Sequence, residues 1–195
     1  GQYPVMDLRR GKIILLTAPS GSGKTTLARY LLDTMSDLAF SVSATTRAPR
    51  AGECNGKDYH FKTQQEFTEG LRQGAFFEYQ EVYPGQFYGT LNAGLAAIWS
   101  AGKTPLLDVD VKGALNIETG AKNKTLSLFI KAPGLEVLRK RLEDRGTDSP
   151  EAIEHRLAKA EEELSYAHHF DYVITNDRLY LTKELLRLIV TDFLS

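Results

Sequence analysis

The segment from Ala18 to Thr25 contains the residues that most directly indicate chemistry. It reads APSGSGKT, which matches the phosphate-loop pattern G-x-x-x-x-G-K-[S/T] at every required position except the first. Small residues allow consecutive backbone N–H groups to curl around phosphate oxygens, and the start of the helix that follows favours an anion. We therefore predict a nucleotide phosphate site in which Lys24 reaches the terminal phosphates and Thr25 binds Mg²⁺.

One position of this loop departs from the motif. Ala18 stands where the first glycine is expected, and it fits without strain only if its backbone φ is negative. The alternative to a nucleotide site is a glycine-rich turn between a strand and a helix that binds nothing. The loop alone also does not separate kinases from ATPases or GTPases, so the second substrate has to be identified elsewhere.

Two acidic residues end an apolar run farther along the chain. The segment PLLDVD places Asp108 and Asp110 at the end of a predicted buried strand, where their side chains alternate across the strand. An acid at this position is typical of the strand that supplies a metal-facing carboxylate to a phosphate loop. Only one of the two can face the metal directly, and the alternative for each is a helix cap or an ion pair with an arginine.

A regular framework is predicted around these residues. The segment KIILLT before the loop is typical of a buried parallel strand, and TTLARYLLDTM after it has leucines at helical spacing. Strand and helix patterns alternate again in the second half of the chain, which predicts an α/β fold with a parallel sheet flanked by helices. The predicted strands there are Lys103–Val109, Leu126–Ile130 and Tyr172–Thr175, and the predicted helices include Leu91–Ala101, Val111–Glu118 and Leu181–Phe193.

The middle of the chain has a different pattern. Residues from about 40 to 90 contain Pro49, the turn pair Asn55 and Gly56, and an aromatic strand-like run from Phe76 to Tyr83. A strand is predicted from Ala39 to Ala44 and a short helix around Gln64 to Gln73. This region therefore predicts a small β-rich insertion.

Composition limits the classes of protein that remain. The chain has 195 residues, and its 24 Lys and Arg nearly balance its 25 Asp and Glu, which argues against a broad basic face for nucleic acid. The longest apolar run near the start, Ile13 to Leu16, is far shorter than the roughly 20 residues of a membrane span. Cys54 is the only cysteine, which excludes an intrachain disulfide and suits a reducing compartment. We expect a cytoplasmic protein without nucleic-acid or membrane partners, as a monomer or a homo-oligomer.

Several motifs of the insertion resemble the guanylate kinase family. They are, in order, SATTRAPR, GKDY, Glu78 and FYGT, and the resemblance continues through LDVD and RLEDRGT along the whole chain. It implies a P-loop NTPase core (6–38 and 92–195), a β-rich GMP-binding insert (39–91) and a mobile helical lid (about 138–164). It also implies an enzyme of purine nucleotide metabolism that uses Mg²⁺ and transfers the γ-phosphoryl of ATP to GMP, giving ADP and GDP.

The resemblance implies a set of GMP-binding residues in the insert. Glu78 would accept hydrogen bonds from guanine N1–H and the 2-amino group, and Ser43 would donate to O6, a pattern opposite to that of AMP. A dianionic phosphate is well satisfied by two guanidinium groups and two phenol hydroxyls. The implied phosphate ligands are Arg47, Arg50, Tyr59 and Tyr88, and the set is completed by Thr90 and, as a further acceptor near the base, Asp110.

The resemblance also implies ATP-binding and catalytic residues. The ATP-binding set comprises Ala18, Pro19, Ser20, Gly21, Ser22, Gly23, Lys24, Thr25, Thr26, Arg141 and Asn176. The implied catalytic residues are Lys24, Arg47, Arg145 and Arg156, of which the last two are lid arginines that swing over the ATP phosphates. The implied Mg²⁺ ligands are Thr25 and, through water, Asp108. No general base is needed, because a phosphate monoester with a second pKa of roughly 6 is already ionised near pH 7.

Two other functions fit these residues less well. Inactive guanylate-kinase-like interaction modules typically lose the phosphate-loop lysine and the lid arginines, whereas Lys24, Arg145 and Arg156 are present here. A P-loop kinase that acts on another phosphorylated small molecule, such as a ribosyl phosphate, does not need the guanine-reading pair Ser43 and Glu78.

Overall fold

A computed structural model describes residues 11–19, 22–117 and 124–195. Some predicted features lie outside these ranges: residues 6–10 of the core, Ser20 and Gly21 of the phosphate loop, and Glu118 at the end of a predicted helix. No helix within the described ranges has both the length and the apolar character that a membrane span requires.

The described residues form nine strands and seven α-helices. The strands are β1 (Ile13–Thr17), β2 (Leu38–Phe40), β3 (Ala44–Thr45), β4 (His60–Phe61), β5 (Phe76–Tyr83), β6 (Gln86–Leu91), β7 (Thr104–Asp108), β8 (Thr125–Lys131) and β9 (Tyr172–Thr175). The helices are α1 (Lys24–Thr34), α2 (Gln64–Arg72), α3 (Asn92–Ser100), α4 (Val111–Leu115), α5 (Leu135–Arg145), α6 (Pro150–Leu164) and α7 (Leu179–Leu194).

The core is a five-stranded sheet in the order β2-β7-β1-β8-β9, and every neighbouring pair is parallel. This confirms the predicted α/β fold with a parallel sheet. The register of β1 and β7 aligns Leu16 with Asp108, so the acid that ends β7 lies beside the strand that leads into the phosphate loop. Carboxyl ends of parallel strands meet at one edge of a sheet, which is where such folds bind ligands.

Both faces of this sheet are covered by apolar side chains. Successive residues of β1 alternate between two clusters: Ile14 and Leu16 pack with leucines of α1 and α7, whereas Ile13 and Leu15 pack toward α3 and α4. All five residues of β1 are buried. Burial on both faces explains why the β1 segment is continuously apolar, and it gives the loop that follows β1 a rigid base.

The insertion forms a second sheet of four strands in the order β4-β3-β6-β5. The prediction of one strand from Ala39 to Ala44 was wrong: the chain leaves the core sheet after β2 and enters the second sheet at β3, because its backbone finds partners in two different sheets. Strand β6 was not predicted, although two strand-like runs flank the turn at Pro84 and Gly85, a pattern typical of a β-hairpin.

Helices α5 and α6 form an apolar cluster of their own, separate from the two core clusters. Its buried members are Leu138, Leu142, Ile153, Leu157 and Ala160. Ser149 caps α6: its side chain accepts a hydrogen bond from the Ala152 N–H at 3.1 Å, and Pro150 takes the first helical position. These two helices therefore bury apolar surface against each other, while the last residue of α6, Leu164, packs on the core.

Candidate active site

The phosphate loop lies at the carboxyl end of the core sheet, between β1 and α1. Gly23 immediately precedes α1 with a φ of 87°, which disfavours any residue with a Cβ. A Cβ at this position would also lie 2.5 Å from Nδ2 of Asn176. That amide donates a hydrogen bond to the Ser22 carbonyl at 3.0 Å, so a residue just after β9 holds the loop from 154 positions away. Asn176 is 5% exposed.

Ala18 fits the first position of the loop without strain. Lys124 is the one non-glycine residue with positive φ in the described ranges, so the backbone of Ala18 lies in the region that any residue adopts. Nearby, the Ser22 hydroxyl is buried and has no hydrogen-bond partner among the residues that the structure describes. A buried unpaired hydroxyl in a loop of this kind is suited to a polar ligand group such as a phosphate oxygen.

The two acids at the end of β7 have different surroundings: Asp108 is its last residue and Asp110 follows it. Asp108 forms an ion pair with Lys24, with Nζ and Oδ1 2.5 Å apart, and lines the same cavity as the exposed hydroxyl of Thr25. Asp110 precedes α4, and its Oδ2 lies 3.9 Å from Nζ of Lys159. Asp108 is therefore the acid that lies beside the phosphate loop, whereas Asp110 lies beside α6.

A cavity of about 480 Å³ opens between the phosphate loop and the second sheet. This volume lies in the range of small-molecule sites, and both sheets and α6 contribute to its wall. Its lining includes Ala18, Lys24, Thr25, Ser43, Arg50, Tyr59, Glu78, Gln80, Tyr88, Asp108, Asp110, Gly113, Lys159 and Glu163. The fold thus brings three of the predicted phosphate-loop residues and most of the predicted GMP residues to one cavity.

Glu78 on β5 is the buried acid of the insert wall. It is 8% exposed, and burial raises the pKa of its carboxyl to about 7. The Thr90 hydroxyl, itself 1% exposed, donates to Oε1 of Glu78 at 2.8 Å, so Thr90 lies behind Glu78 and orients it. Gly113 allows α4 to approach, since a Cβ there would lie 3.3 Å from Oε2 of Glu78.

Arg47 is held beside the cavity by a local ion pair. Its two terminal nitrogens donate to the two carboxylate oxygens of Glu53, each at 2.9 Å, and its guanidinium lies over the Tyr59 ring. The Arg47 guanidinium lowers the pKa of Glu53 to about 2. Arg47 also lies in hydrogen-bonding reach of the Tyr59 and Tyr88 hydroxyls, and burial raises the pKa of Tyr59. Three of the four predicted phosphate ligands therefore form one cluster, and Arg50 lines the adjoining cavity wall.

The two arginines predicted for the lid, Arg145 and Arg156, meet at one carboxylate. Arg145 and Arg156 contact the same oxygen of Asp148, at 3.1 and 3.4 Å. Arg145 also lines a second groove, of about 370 Å³, together with Pro19, Ser22, Gly23, Lys24, Thr25 and Thr26. Arg141 donates to the carbonyl of Asn176, the residue that holds the Ser22 carbonyl, at 3.4 Å.

Several residues of the site were not singled out in the sequence, among them Lys159, Glu163, Gln80 and Glu53. Lys159 and Glu163 belong to a helix whose charged residues are indistinguishable in sequence from a solvent-exposed face. Gln80 lies two residues after Glu78, on the same face of β5. Glu53, the partner of Arg47, lies in a loop-rich segment. The only sequence signal for it is that it is an acid close to two arginines, Arg47 and Arg50.

Residues 10–192 match the family model described as guanylate kinase. A guanylate kinase of Bacteroides fragilis is 48% identical over 183 residues, which cover 94% of this chain and 90% of the relative. A guanylate kinase of Porphyromonas gingivalis is 43% identical over 185 residues, covering 94% of this chain and 98% of the relative.

A solved structure is also similar. The crystal structure of guanylate kinase from Anaplasma phagocytophilum aligns with a TM-score of 0.74 at 34% sequence identity. The alignment covers 94% of this chain and 86% of the other. Sequence and fold therefore lead to the same family.

Proposed function

Because this chain belongs to the guanylate kinase family, it is an ATP:GMP phosphotransferase, and we propose that three parts of the molecule divide the reaction. The core (6–38 and 92–195) positions ATP, the insert (39–91) binds GMP, and the lid (about 138–164) covers the ATP phosphates. The observation that carries this division is the single cavity lined both by Lys24 and Thr25 of the phosphate loop and by Ser43, Glu78 and Tyr88 of the insert.

The insert wall is proposed to bind GMP through its base and its phosphate. The Glu78 carboxylate accepts from guanine N1–H and the 2-amino group, and Ser43 donates to O6, while Thr90 keeps Glu78 in place. At the other end, Arg47, Arg50 and the Tyr59 and Tyr88 hydroxyls surround the phosphate. A purine with the opposite donor pattern would leave the buried Glu78 unpaired, which can cost roughly 10⁴ to 10⁵ in specificity.

The transfer itself requires positioning and charge neutralisation. An ionised oxygen of the GMP phosphate attacks the γ-phosphorus of ATP, a new P–O bond forms, and the bond from the γ-phosphorus to the β–γ bridging oxygen breaks to release ADP. The bound GMP phosphate needs no general base because it is already ionised near neutral pH. Lys24, Arg47, Arg145 and Arg156 are proposed to stabilise the charge that spreads over the transferring group.

The residues beside Lys24 fit Mg²⁺. The exposed Thr25 hydroxyl and the Asp108 carboxylate line one cavity, and oxygen ligands completed by substrate phosphates are what this ion prefers. We propose that Thr25 holds Mg²⁺ directly and Asp108 through water. When bound, the ion would neutralise part of the phosphate charge. Lys24 then exchanges its Asp108 contact for a phosphate oxygen.

The lid is proposed to close by moving Arg145 and Arg156 over the ATP phosphates. In the structure both contact Asp148, and Arg145 already lines the groove along the loop. Closure would also exclude the water that would otherwise hydrolyse ATP. Arg141 and Asn176 are proposed to line the adenine side, with Pro19 and Thr26 beside the phosphates.

We further propose that the protein is cytoplasmic, in agreement with one exposed free thiol, Cys54.

One coupled assay tests the proposed specificity. Purified protein is incubated with ATP and Mg²⁺ and with GMP, AMP, UMP or CMP in parallel, and ADP formation is followed. We expect turnover with GMP and at least about 10³-fold lower kcat/KM with the other three. Comparable turnover of AMP and GMP would remove the base-reading role given to Ser43 and Glu78.

A further inference from the structure

Gln80 is a polar side chain of the cavity wall that the proposed reaction does not use. Along β5 the residues at even positions are buried or half-buried and those at odd positions are exposed, so Gln80 shares the inner face with Glu78. It lines the same cavity. Its amide has no hydrogen-bond partner among the residues that the structure describes. A half-buried amide without a protein partner, facing a cavity, is suited to a polar group of a ligand.

The pairing of β5 with β6 places Gln80 next to the base-reading acid of the proposed GMP site. Glu78 lies opposite Thr90, which holds it, and Gln80 lies opposite Tyr88, a proposed phosphate ligand. The ladder is regular between these pairs, because its irregularities come before Glu78 and after Glu81. Gln80 is therefore one inward step along β5, roughly 7 Å, from Glu78.

Gly113 of α4 shows where the two inward side chains point. A Cβ at Gly113 would lie 3.1 Å from Oε1 of Gln80 and 3.3 Å from Oε2 of Glu78, so both oxygens lie close to one point on α4. The other oxygen of Glu78, Oε1, already accepts from Thr90. Two oxygens this close to a common point can both accept from one nitrogen that carries two hydrogens.

Helix α4 is held against this part of β5. Asn116, at the end of α4, donates to the carbonyl of Tyr79, the residue between Glu78 and Gln80, at 3.5 Å. Val111 and Ala114 of the same helix are buried in a core cluster. The packing of the insert on the core therefore sets the position of the two oxygens.

We propose that Gln80 is a specificity-determining residue whose amide oxygen accepts the second hydrogen of the guanine 2-amino group. This inference rests on the proposed GMP site. The edge of guanine that faces Glu78 carries three N–H hydrogens, one on N1 and two on the 2-amino group. The two oxygens of Glu78 accept the N1 hydrogen and one amino hydrogen, which leaves one amino hydrogen for Gln80. Without an acceptor, that N–H would lose its hydrogen bond to water on binding.

The test compares GMP with inosine monophosphate, which has the same ribose and phosphate but lacks the 2-amino group. Gln80→Leu keeps a side chain of similar size and removes the acceptor. In this variant kcat/KM for GMP should fall about fivefold, the loss expected for one hydrogen bond, and that for inosine monophosphate should not change. Gln80→Glu should keep the wild-type ratio of the two, because its carboxylate is also an acceptor.

A matched control and a third acceptor separate base recognition from other roles. Gln65→Leu makes the same substitution at an exposed position of α2 and should keep the wild-type ratio. With 2′-deoxy-GMP, which has the same base, Gln80→Leu should lower kcat/KM as much as with GMP. Melting temperatures confirm that each variant is folded, and Gln80→Ala takes the place of Gln80→Leu if the latter does not fold.

The outcomes are distinct. A wild-type ratio of GMP to inosine monophosphate in Gln80→Leu would overturn the inference, as would a loss in Gln80→Glu equal to that in Gln80→Leu. An equal fall for both monophosphates would also overturn it, since a structural role predicts that result. A fall for GMP but not for 2′-deoxy-GMP would assign Gln80 to the ribose instead. A wild-type protein that leaves GMP unphosphorylated would contradict the proposed function itself, whereas the other outcomes overturn this inference alone.

Discussion

The two walls of the cavity hold their polar groups in different ways. On the core wall, the phosphate loop follows a fully buried strand, and its glycine is held against Asn176 from a distant part of the chain. On the insert wall, the groups are side chains of a small sheet, held by pairs such as Thr90 with Glu78 and Arg47 with Glu53. The core wall thus offers the phosphate loop with Lys24 together with acids such as Asp108, and the insert wall offers hydrogen-bonding side chains.

This difference matches the chemistry that each wall has to perform. Triphosphates are alike whatever base they carry, so a loop of backbone N–H groups and cations suffices for positioning and charge. Discrimination between purines depends on which atoms donate and which accept, so it needs buried side chains of defined orientation. We therefore expect core-wall changes to affect the rate for every acceptor, and insert-wall changes to affect the choice of acceptor.

The largest expected effect is that of Lys24→Ala. Loss of this charge from the transferring phosphoryl group should lower kcat about 10³-fold or more, equally for GMP and for any slow alternative acceptor. Steady-state kinetics with saturating ATP and Mg²⁺ measure this. Lys103→Ala, an exposed lysine just before β7, is the control and should retain full activity. A change in the GMP to AMP preference of Lys24→Ala would break the contrast between the walls.

The next effect is that of Glu78→Gln on base choice. The amide places a donor against the donors of guanine, so the ratio of kcat/KM for GMP to that for AMP should fall about 10²-fold while the KM for ATP stays near its wild-type value. Competition assays with both monophosphates give this ratio directly. Glu69→Gln, a half-buried acid on α2 that pairs with Arg72 far from the cavity, serves as control. An unchanged ratio would show that base choice resides elsewhere.

The buried Glu78 should also cost stability in the free protein. Its folded-state pKa of about 7 exceeds its ordinary value of 4.5, so the folded state holds the proton longer and stability falls as pH rises from 4.5 to 7. Above pH 7 the cost is about 3 kcal/mol at most. Glu78→Gln should therefore gain stability relative to the wild type across this pH window. Urea unfolding at pH 5 and pH 8 measures the gain, and an equal difference at both values would contradict it.

The smallest expected effect concerns the lid, which belongs to neither wall. Asp148→Asn releases Arg145 and Arg156 from their shared carboxylate. Since exposed ion pairs contribute roughly 0 to 1 kcal/mol, the KM for ATP should change by less than about fivefold, and the GMP to AMP preference should not change. Kinetics at 50 and 300 mM salt would show the difference shrinking as screening increases. A larger change in the KM for ATP would indicate that Asp148 takes part in closing the proposed lid.

Much of the core could be predicted because its signals are local. A strand such as β1 is buried on both faces and is therefore continuously apolar, and the glycines and lysine of the loop are consecutive in sequence. The strands of the insert were harder to predict from the sequence. Its strands are short, and the split between β2 and β3 depends on which sheet offers a partner to each backbone segment, which no local pattern encodes.

By itself, the sequence determined the phosphate loop, the parallel α/β core and, through its ordered motifs, the family. Those features depend on residue types at fixed short spacings. Only the tertiary structure decided which of the two acids at the end of β7 meets Lys24, that Thr90 hydrogen-bonds Glu78, and that Glu163 lines the same cavity as Asp110. These pairings join residues that are 12 to 84 positions apart, and they depend on strand register and helix packing rather than on spacing along the chain.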